Sequence, residues 1–399
     1  MFRRLGIAWL PLAALGFVLS SEPQQNRILV TAKNELPLAR PSETIVLQAR
    51  EISRSLAVDD LRRVRVTDEA SGRELVSQRV DLNGDSTPEE LVFQADFDPG
   101  QSRTFSLLTG PPRIPKREDF KVYGRFVRER FDDFAWENDR IAHRMYGTAL
   151  ETWDKEPLTS SAVDVWCKRT RKLVINDWYM VDNYHVDTGE GADFYSAGRS
   201  RGCGGSGIWE DGKLHVSRNF TGSKVLANGP IRVVFELTYA PWRAGGREVS
   251  EVKRITLDAG HNLDRFESFY KADGKGSLTL AVGIKKGEGS TVLHERKQGW
   301  LRTWEPVRKG QAGNLGCGIV LDPSSVVEIT EADGNYLIVA RCDGRQTATY
   351  YAGFGWDRSG DFADAAAWTE YLRQAAMKLL SPLKISLAGT SLILRQEKP

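Results

Sequence analysis

Side chains that can exchange protons are concentrated in the stretch DNYHVDTGEGADFY, residues 182–195. It contains His185, and histidine is the side chain that changes charge closest to neutral pH, which makes it the most versatile acid or base available. Tyr184 and Tyr195 can donate protons, and the neighbouring acids can orient an imidazole or bind a cation: Asp187, Glu190 and Asp193. We therefore predict a catalytic loop here, with an ordinary solvated loop as the alternative.

A second candidate element is FAWENDRIAHRMYG, residues 134–147, if it forms one strand. Alternate residues of a strand share a face, and this face would carry Phe134, Trp136, Asn138, Arg140, Ala142, Arg144 and Tyr146. These residues suit a groove for an acidic sugar, because a sugar ring stacks on an aromatic side chain and a guanidinium group binds a carboxylate with two hydrogen bonds. The alternative is a strand whose arginines form buried pairs with Glu137 and Asp139.

Oxygen ligands for a calcium ion are available in DLNGDSTPEE, residues 81–90. A hard cation gathers several oxygens from a tight turn, and the side chains at suitable offsets are Asp81, Asn83, Asp85 and Glu89. The sixth position of the loop is Ser86 instead of glycine, and no glutamate stands at the twelfth. The sequence therefore allows a structural calcium site or a solvated turn, and we expect no cofactor to be required.

The stretch GCGGSG, residues 202–207, fits the GxGxxG pattern of dinucleotide-binding loops. That pattern binds a pyrophosphate only between a strand and a helix, because the N-terminus of the helix holds the phosphates. Here IWEDGKLHV follows, which predicts a hairpin with an Asp-Gly turn. We therefore interpret the glycines as a place where two backbones pack closely, or where the backbone lines a cleft.

The charge balance argues against nucleic acid as a partner. The 399 residues include 55 basic and 53 acidic side chains, for a net charge of +2, and no long run of either sign occurs. Eleven tryptophans are compatible with a sugar-stacking surface or with a large aromatic core. The four cysteines permit three disulfide pairings in an oxidising compartment, or they form four buried thiols: Cys167, Cys203, Cys317 and Cys342.

The N-terminal residues are typical of a secretory signal peptide. The basic residues MFRR precede an apolar run that ends in small residues, LGIAWLPLAALGFVLSS. A membrane anchor needs about 20 unbroken apolar residues, whereas this run is shorter and contains Pro11. We expect a signal peptide over residues 1–21, a periplasmic or secreted protein, and no membrane association after cleavage.

Strand patterns dominate the rest of the chain. Between about residues 42 and 110, short alternating segments such as ETIVLQAREI, separated by turn-forming residues, predict a small antiparallel β-sandwich. PPRIPKREDF is typical of a linker, and from about 120 to 360 longer strands predict a large antiparallel sandwich. In DFADAAAWTEYLRQAAMKLL the apolar residues recur at helical spacing, and Pro382 follows. We predict a mainly β fold with domains at residues 22–112 and 113–399, the second ending in an α-helix.

Several stretches, in the same order along the chain, are similar to a bacterial exported family labelled as a domain of unknown function, family 4861. The matching stretches are DLNGDSTPEELVFQ, WENDRIAHRMYG, DVWCKRTRKLVI, YHVDTGEGADFY, RGCGGSGIWEDGKL, NGPIRVVFELTYAPW, RITLDAGHNLDRFE and the terminal helix. The family is found among polysaccharide-degrading gene clusters. RITLDAGHNLDRFE also resembles the strand pair of galactose-mutarotase-like folds, so the resemblance implies a β-supersandwich for the large domain.

At least one member of that family resembles an oligosaccharide dehydratase that acts on ulvan fragments ending in a uronic acid. By this resemblance, a base removes the C5 proton of the terminal uronate and water leaves from C4, which gives a 4,5-unsaturated uronate. The implied roles are His185 as the base and Tyr195 or Tyr146 as the proton donor, with Arg144 as the cation that neutralises the carboxylate and Arg140 or Arg201 as alternatives to it. Trp136 and Trp356 are implied to stack on sugar rings, and Lys168 to contact a sulfate or a second carboxylate. Further contacts with the acidic oligosaccharide are implied for Asn138, Arg140, Tyr184 and Arg201.

Two other functions use the same residues. A polysaccharide lyase would cut a glycosidic bond instead of releasing water, and a carbohydrate-binding protein would catalyse no reaction. A glycosidase is less attractive, because nothing in the sequence singles out a pair of catalytic carboxylates.

Overall fold

The computed structural model describes residues 27–387, except residues 57, 155, 156, 182 and 275. The predicted signal peptide, residues 1–21, lies outside the described residues. About half of the described residues lie in antiparallel strands, which form five sheets, and this confirms the predicted mainly β fold. Within the described ranges, no helix has the length and apolar character needed to cross a membrane.

The N-terminal unit is a sandwich of two antiparallel sheets. The larger sheet contains, in spatial order, Lys384–Leu387, Arg27–Lys33, Ser102–Thr109, Val64–Asp68 and Glu74–Leu75. The smaller sheet contains Arg40–Gln48, Glu90–Phe97 and Ser77–Val80. Apolar residues of both sheets share one core, in which Phe93 and Phe105 meet edge to face with ring centroids 5.0 Å apart. The small β-sandwich predicted here is confirmed.

The end of the segment ETIVLQAREI is helical, so its prediction as a continuous strand is wrong. The strand ends at Gln48, and helix α1 (Ala49–Leu56) follows directly. Ala49, Ile52 and Leu56 are buried, so the apolar spacing changes from the strand period of two to the helical period within a few residues.

The N-terminal sheet is completed by residues from the other end of the chain. Strand Lys384–Leu387 pairs antiparallel with Arg27–Lys33, and Leu383 and Leu387 join the core of the small sandwich. This pairing adds a C-terminal strand to the first unit. The predicted domain boundary between residues 112 and 113 remains a prediction.

The large unit consists of three antiparallel sheets. The first has eight strands, in spatial order Gly222–Asn228, Arg232–Ala244, Arg247–Asp258, Leu263–Ala272, Thr347–Trp356, Asn314–Val320, Trp300–Pro306 and Thr291–Glu295. The second contains Lys213–His215, Cys203–Glu210, Thr279–Lys285, Asn335–Arg341 and Val326–Ala332. The third contains Gly191–Ala192, Asp164–Lys168, Ala142–Met145, Asp133–Asn138 and Val122–Val127.

The second and third sheets both cover the inner face of the eight-stranded sheet. Apolar residues from all three form one continuous core, and a parallel bridge between Val163 and Gly202 joins the two five-stranded sheets. This sandwich-like arrangement agrees with the predicted fold. All four cysteines are buried in it as free thiols.

Two helices cover outer faces of these sheets. Helix α2 (Ile175–Tyr179) lies on the third sheet, where Trp178 and Tyr179 pack on Trp166. Helix α3 (Ala365–Leu380) begins at Asp364, whose side chain accepts a 2.9 Å hydrogen bond from the amide of Ala367. Its buried residues pack on the eight-stranded sheet, which confirms the predicted terminal helix: Trp368, Leu372 and Ala376.

The segment 134–147 is a hairpin, so its prediction as a single strand is wrong. Strands Asp133–Asn138 and Ala142–Met145 pair antiparallel, with Trp136 opposite His143. Between them the Asn138 side-chain oxygen accepts hydrogen bonds from the amides of Arg140 and Ile141 at 2.7 and 2.9 Å. An asparagine that bonds the backbone two residues ahead favours a turn over a continuing strand.

The glycine-rich stretch begins the hairpin that the sequence predicted. Strand Cys203–Glu210 pairs with Lys213–His215 across the Asp-Gly turn. Gly204 has a φ of +100°, and a Cβ at this position would lie 2.2 Å from the Cβ of Ala352. At Gly202 an added Cβ would lie 2.1 Å from the backbone oxygen of Val163. The glycines therefore allow the chain to pack closely against another backbone.

We predict that Gly204→Ala destabilises the protein by about 2–4 kcal/mol, because the added methyl group overpacks the core and the φ angle disfavours alanine. Gly212→Ala is the matched control, since Gly212 also has a positive φ, of +71°, but no atom lies within 4 Å of an added Cβ. Denaturant unfolding of both variants measures the two costs. Equal losses would contradict the close approach at Gly204.

Candidate active site

A buried charge cluster centred on Arg144 lies on the three central strands of the third sheet, at one end of these strands. Its guanidinium group donates to three carboxylates: Nε to Asp164 at 2.8 Å, Nη2 to Asp193 at 2.9 Å and Nη1 to Asp133 at 3.5 Å. Nη1 also donates to the hydroxyl of Tyr184 at 2.9 Å. Arg144 and the three acids are buried. The arginine is therefore in buried ion pairs, although with acids other than those considered from the sequence.

One guanidinium group cannot neutralise three carboxylates. Burial raises the pKa of Asp133 to about 7, although Arg144 opposes this. Burial and the neighbouring Asp164 raise the pKa of Asp193 well above its usual value. Burial lowers the pKa of Arg144, but Asp164 and Asp193 raise it, and the result lies well above the usual value. The guanidinium group therefore stays charged. Asp133 and Asp193 therefore bind a proton more readily than ordinary aspartates.

His185 lies at the solvent-exposed side of this cluster. Its Nδ1 atom is 3.1 Å from the backbone oxygen of Asp193 and 3.4 Å from Oδ2 of the same residue. The His185 side chain is 49% exposed. When Nδ1 carries the proton and donates to Asp193, the Nε2 lone pair is free to accept a proton from a ligand.

Residues from three other segments hold Tyr184 and His185 in place. Arg130 Nε donates to the Tyr184 hydroxyl at 2.6 Å, and Arg308 Nη2 donates to the backbone oxygen of His185. The Tyr184 ring packs on Trp166 with centroids 5.0 Å apart, and its centroid is 4.7 Å from that of the imidazole. The loop around His185 is thus attached to the sheet by its side chains.

The two tyrosines predicted as proton donors lie in the interior. The Tyr146 hydroxyl donates to Asp164 Oδ2 at 2.7 Å. Tyr195 is 5% exposed, and the Lys285 ammonium lies 5.1 Å from the centre of its ring. Burial raises the pKa of both phenols well above the usual value. Their assignment as proton donors remains a prediction.

The two tryptophans predicted to stack on sugar rings are core residues. Trp136 is fully buried, and its Nε1 donates to Asp264 at 2.7 Å. Trp356 is also buried, and its Nε1 donates to the backbone oxygen of Ala312 at 2.8 Å. Their burial leaves no exposed ring face for a sugar.

Lys168 and Asn138 are buried and bonded to the protein itself. Lys168 Nζ donates to Glu137 Oε2 at 2.6 Å and to the backbone oxygen of Asn138 at 2.7 Å. Asn138 Nδ2 donates to the backbone oxygens of Asp258 and His261, both at 2.7 Å. The Lys168 bonds lie within the third sheet, whereas the Asn138 bonds join it to the eight-stranded sheet.

The remaining predicted arginines lie away from this cluster. Arg140 forms an ion pair with Asp361. Arg201 is buried and donates to Ser161 Oγ at 3.0 Å and to the backbone oxygen of Ser206 at 3.4 Å. Burial lowers the pKa of Arg201 to about 10. Of the predicted residues, the structure brings five into one cluster: His185, Tyr184, Asp193, Arg144 and Tyr146.

Four residues of the cluster were missed by reasoning from the sequence: Arg130, Asp133, Asp164 and Arg308. They come from three segments that are distant from His185 in the sequence, so no local pattern connects them to it. The one available signal is alternation in DVWCK, which places Asp164 on the same strand face as Trp166 and Lys168.

Two short turns with a disfavoured backbone adjoin the residues that hold the loop. Phe131 and Asp132, next to Arg130, have φ angles of 45° and 61°. Arg308 and Lys309 have φ angles of 49° and 54°. Left-handed conformations are uncommon for residues other than glycine and are concentrated at functional sites.

The predicted calcium ligands lie together in the N-terminal unit. Carboxylate oxygens of Asp81, Asp85 and Glu89 lie within 4.8 Å of one another. The loop also has hydrogen bonds of its own: Asp81 Oδ1 accepts from the amide of Asn83 at 3.1 Å, and Lys224 Nζ donates to the backbone oxygen of Asn83 at 2.7 Å. The donor atoms fit calcium, and the hydrogen bonds also suffice for a turn, so the metal site remains a prediction.

Most of the chain matches a family model and a curated protein. The family model, described as a domain of unknown function (DUF4861), matches residues 32–385. The curated protein is uncharacterized protein P7 of Formosa agariphila, which is 33% identical over 390 residues, 94% of this chain and 97% of that protein.

Two solved structures from Enterococcus faecalis share the fold. An alpha-mannosidase of strain V583 aligns with a TM-score of 0.51 and 12% identity over 92% of this chain and 46% of that chain. A protein in glycosyl hydrolase family 38 aligns with a TM-score of 0.51 and 11% identity over 92% of this chain and 48% of that chain. The chain spans about half the length of these structures, and the likeness shows the fold alone.

We predict that the loop at residues 81–89 binds calcium and that chelation lowers the melting temperature, because a ligand that binds only the folded state stabilises it by mass action. Melting curves in excess EDTA and in excess calcium measure the effect, and Asp85→Ala should abolish it. Identical melting temperatures in the two buffers would make the loop an ordinary turn.

We predict that Asp133 makes the protein less stable as the pH rises. Its folded-state pKa of about 7 exceeds the ordinary aspartate value near 4, so between these two values the folded state binds more protons than the unfolded state. The free energy of unfolding should therefore fall by at most about 4 kcal/mol from pH 4 to pH 7 through this group. Asparagine does not titrate, so the stability of Asp133→Asn relative to wild type should increase over this range.

Denaturant unfolding at several pH values tests this prediction. Asp154→Asn, at an exposed position, is the control and should show no such trend. A pH-independent difference between Asp133→Asn and wild type would show that Asp133 is ionised in the folded protein throughout.

Proposed function

Because the chain belongs to the family described as a domain of unknown function (DUF4861), we propose that it is a carbohydrate-active carbon–oxygen lyase. The specific proposal is a dehydratase that eliminates water from the non-reducing-end uronic acid of an oligosaccharide, leaving a 4,5-unsaturated uronate. One observation carries it: the His185 imidazole is half exposed while its Nδ1 contacts Asp193.

The reaction needs a base, a proton donor and a positive charge near the uronate carboxylate. Nε2 of His185 takes the proton from C5, the electrons of that bond form the C4–C5 double bond, and the C4–O bond breaks. The departing hydroxyl takes a proton and leaves as water. A cation beside the carboxylate stabilises the negative charge that develops when the C5 proton is removed.

The contacts of Tyr184 favour it as the proton donor in this proposal. Its hydroxyl accepts from Arg130 at 2.6 Å and from Arg144 at 2.9 Å. These two bonds occupy the oxygen lone pairs, so the phenolic proton is available to a third group. Tyr184 also lies against His185, whereas Tyr146 donates its proton to Asp164.

In this proposal Arg144 is a positioning residue. Its guanidinium group already donates to three carboxylates, so it is not available to bind the uronate carboxylate as the family resemblance implied. It holds Tyr184 through Nη1 and Asp193 through Nη2. Asp193 in turn contacts Nδ1 of His185, so the arginine acts on both proposed catalytic residues.

A sugar substrate is also supported by the fold. The solved structures with the same fold are described as an alpha-mannosidase and as a member of a glycosyl hydrolase family. A polysaccharide lyase is the second candidate, because it needs the same proton abstraction and differs only in the group that leaves from C4.

We predict that His185→Ala lowers turnover by about 10²- to 10⁴-fold, the usual loss on removal of a general base. The assay follows uronate-ended oligosaccharides by the ultraviolet absorbance of the conjugated product and by mass. Loss of one water identifies a dehydratase, whereas chain shortening identifies a lyase. His294→Ala is the matched control, since His294 is exposed on strand Thr291–Glu295.

Both variants must be compared at equal folded concentration, which circular dichroism can verify. Turnover of His185→Ala equal to wild type would remove this histidine from the mechanism. Binding of the oligosaccharide by wild type without any turnover would instead indicate a carbohydrate-binding protein.

A further inference from the structure

Most cations around the His185 loop are already neutralised by an acid. Arg144 donates to three carboxylates. Three exposed cations also form ion pairs with acids: Arg169 with Asp187, Lys172 with Glu190, and Arg171 with Asp361. Cations engaged in this way are poor candidates for binding an anionic ligand, because the ligand would have to displace the acid.

Arg308 and Lys309 differ from these cations. Both are exposed, and in the described part of the chain no carboxylate lies within 4.0 Å of either charged group. Arg308 Nη2 donates to the backbone oxygen of His185, so this positive charge lies beside the proposed base. Two adjacent cations without acid partners form a local excess of positive charge.

The turn that carries these two residues has an unfavourable backbone. Arg308 has φ 49° and ψ 47°, and Lys309 has φ 54° and ψ 35°. Glycine would adopt this conformation without steric cost. The turn is closed by hydrogen bonds from the amide of Val307 to Gly313 at 3.0 Å and from the amide of Gln311 to Arg308 at 3.1 Å. Long charged side chains are thus held where the backbone favours glycine.

The Arg308 guanidinium group is oriented but not saturated. Its Cζ atom lies 4.9 Å from the centre of the Phe194 ring, and a guanidinium group over an aromatic ring keeps its edge available for hydrogen bonds. One of its five N–H groups is used by His185. The others suit a planar or tetrahedral oxyanion, for which arginine is well matched.

We propose that Arg308 and Lys309 form an anion-binding subsite that takes a carboxylate or sulfate group of the substrate beside His185. The inference rests on the proposed function for the identity of the substrate as an acidic oligosaccharide. The subsite supplies the positive charge that the elimination needs beside the uronate carboxylate. Arg144 does not provide this charge, because it already donates to three acids.

Binding of three probes to the full chain tests this inference by calorimetry. The probes are a uronate-ended oligosaccharide, the same oligosaccharide with its carboxyl groups reduced to alcohols, and that reduced oligosaccharide carrying a sulfate. The double variant Arg308→Gln and Lys309→Gln should bind one or both acidic probes roughly tenfold more weakly, as expected for loss of charge-assisted hydrogen bonds. Its affinity for the reduced probe should not change.

The acidic probe that loses affinity identifies the bound group as carboxylate or sulfate. Lys213→Gln, at an exposed lysine of strand Lys213–His215, controls for loss of one positive charge and should bind like wild type. Arg308→Lys keeps the charge but not the planar fork, so its affinity should lie between those of wild type and the double variant. Lys309→Gly removes the charge and relieves the backbone, so it should weaken binding without lowering the melting temperature.

Three results would overturn the subsite: wild-type affinity of the double variant for both acidic probes, an equal loss of affinity for the reduced probe, or no binding of any acidic probe by wild type. The subsite and the elimination can fail separately. If His185→Ala abolishes turnover while the double variant binds normally, only the subsite is wrong. If wild type binds acidic probes through these residues but converts none of them, only the dehydratase is wrong.

Discussion

The Arg144 guanidinium group, enclosed by three buried carboxylates, determines the arrangement around His185. Removing charged groups from water is costly, and it is tolerated only where each charge gains partners at short distance. Arg144 provides such a partner to Asp164 on the neighbouring strand and to Asp193 at the end of the loop. Without the guanidinium group, these acids would be buried beside one another with no compensating charge. The guanidinium group therefore stabilises the folded position of the loop that contains His185, because it contacts Asp193 and the Tyr184 hydroxyl.

The layers of the fold explain why these charges lie where they do. The inner face of the third sheet belongs to the continuous apolar core, so its charged residues must project from the outer face. That face is covered by helix α2, whose aromatic side chains pack with Trp166. The rings exclude water from the cluster while interacting with the cation, since the centres of the Tyr184 and Trp166 rings lie 5.4 and 5.7 Å from the Arg144 guanidinium carbon. An aromatic cover thus strengthens the ion pairs beneath it, because the electrostatic attraction is greater where water is absent.

The cations of this region fall into two groups, those already neutralised by an acid and those without an acid partner. An arginine that already donates to acids contributes to the position of other groups, whereas a cation with no acid nearby is free to bind a ligand. The turn at Arg308 and Lys309 adds a second distinction, because its backbone conformation is one that glycine would favour. Stability alone would favour glycine and paired charges at such a turn. Exposed, unpaired cations on a disfavoured backbone beside a half-exposed histidine are better explained by ligand binding than by folding.

Local features of the sequence determined much of the secondary structure and one part of the site. Strand alternation, the Asp-Gly turn after the glycine-rich stretch and the helical spacing before Pro382 depend on neighbouring residues, so they could be predicted without the fold. The titratable residues around His185 were also visible, because they lie in one loop. Only the tertiary structure decided which faces are covered. Trp136 and Trp356 are buried, and Arg144 contacts acids from three segments. Strand Lys384–Leu387 pairs with a strand of the N-terminal sheet. A strand pattern shows which residues share a face, but burial and ion pairing depend on segments that are distant in the sequence, and no local pattern encodes those contacts.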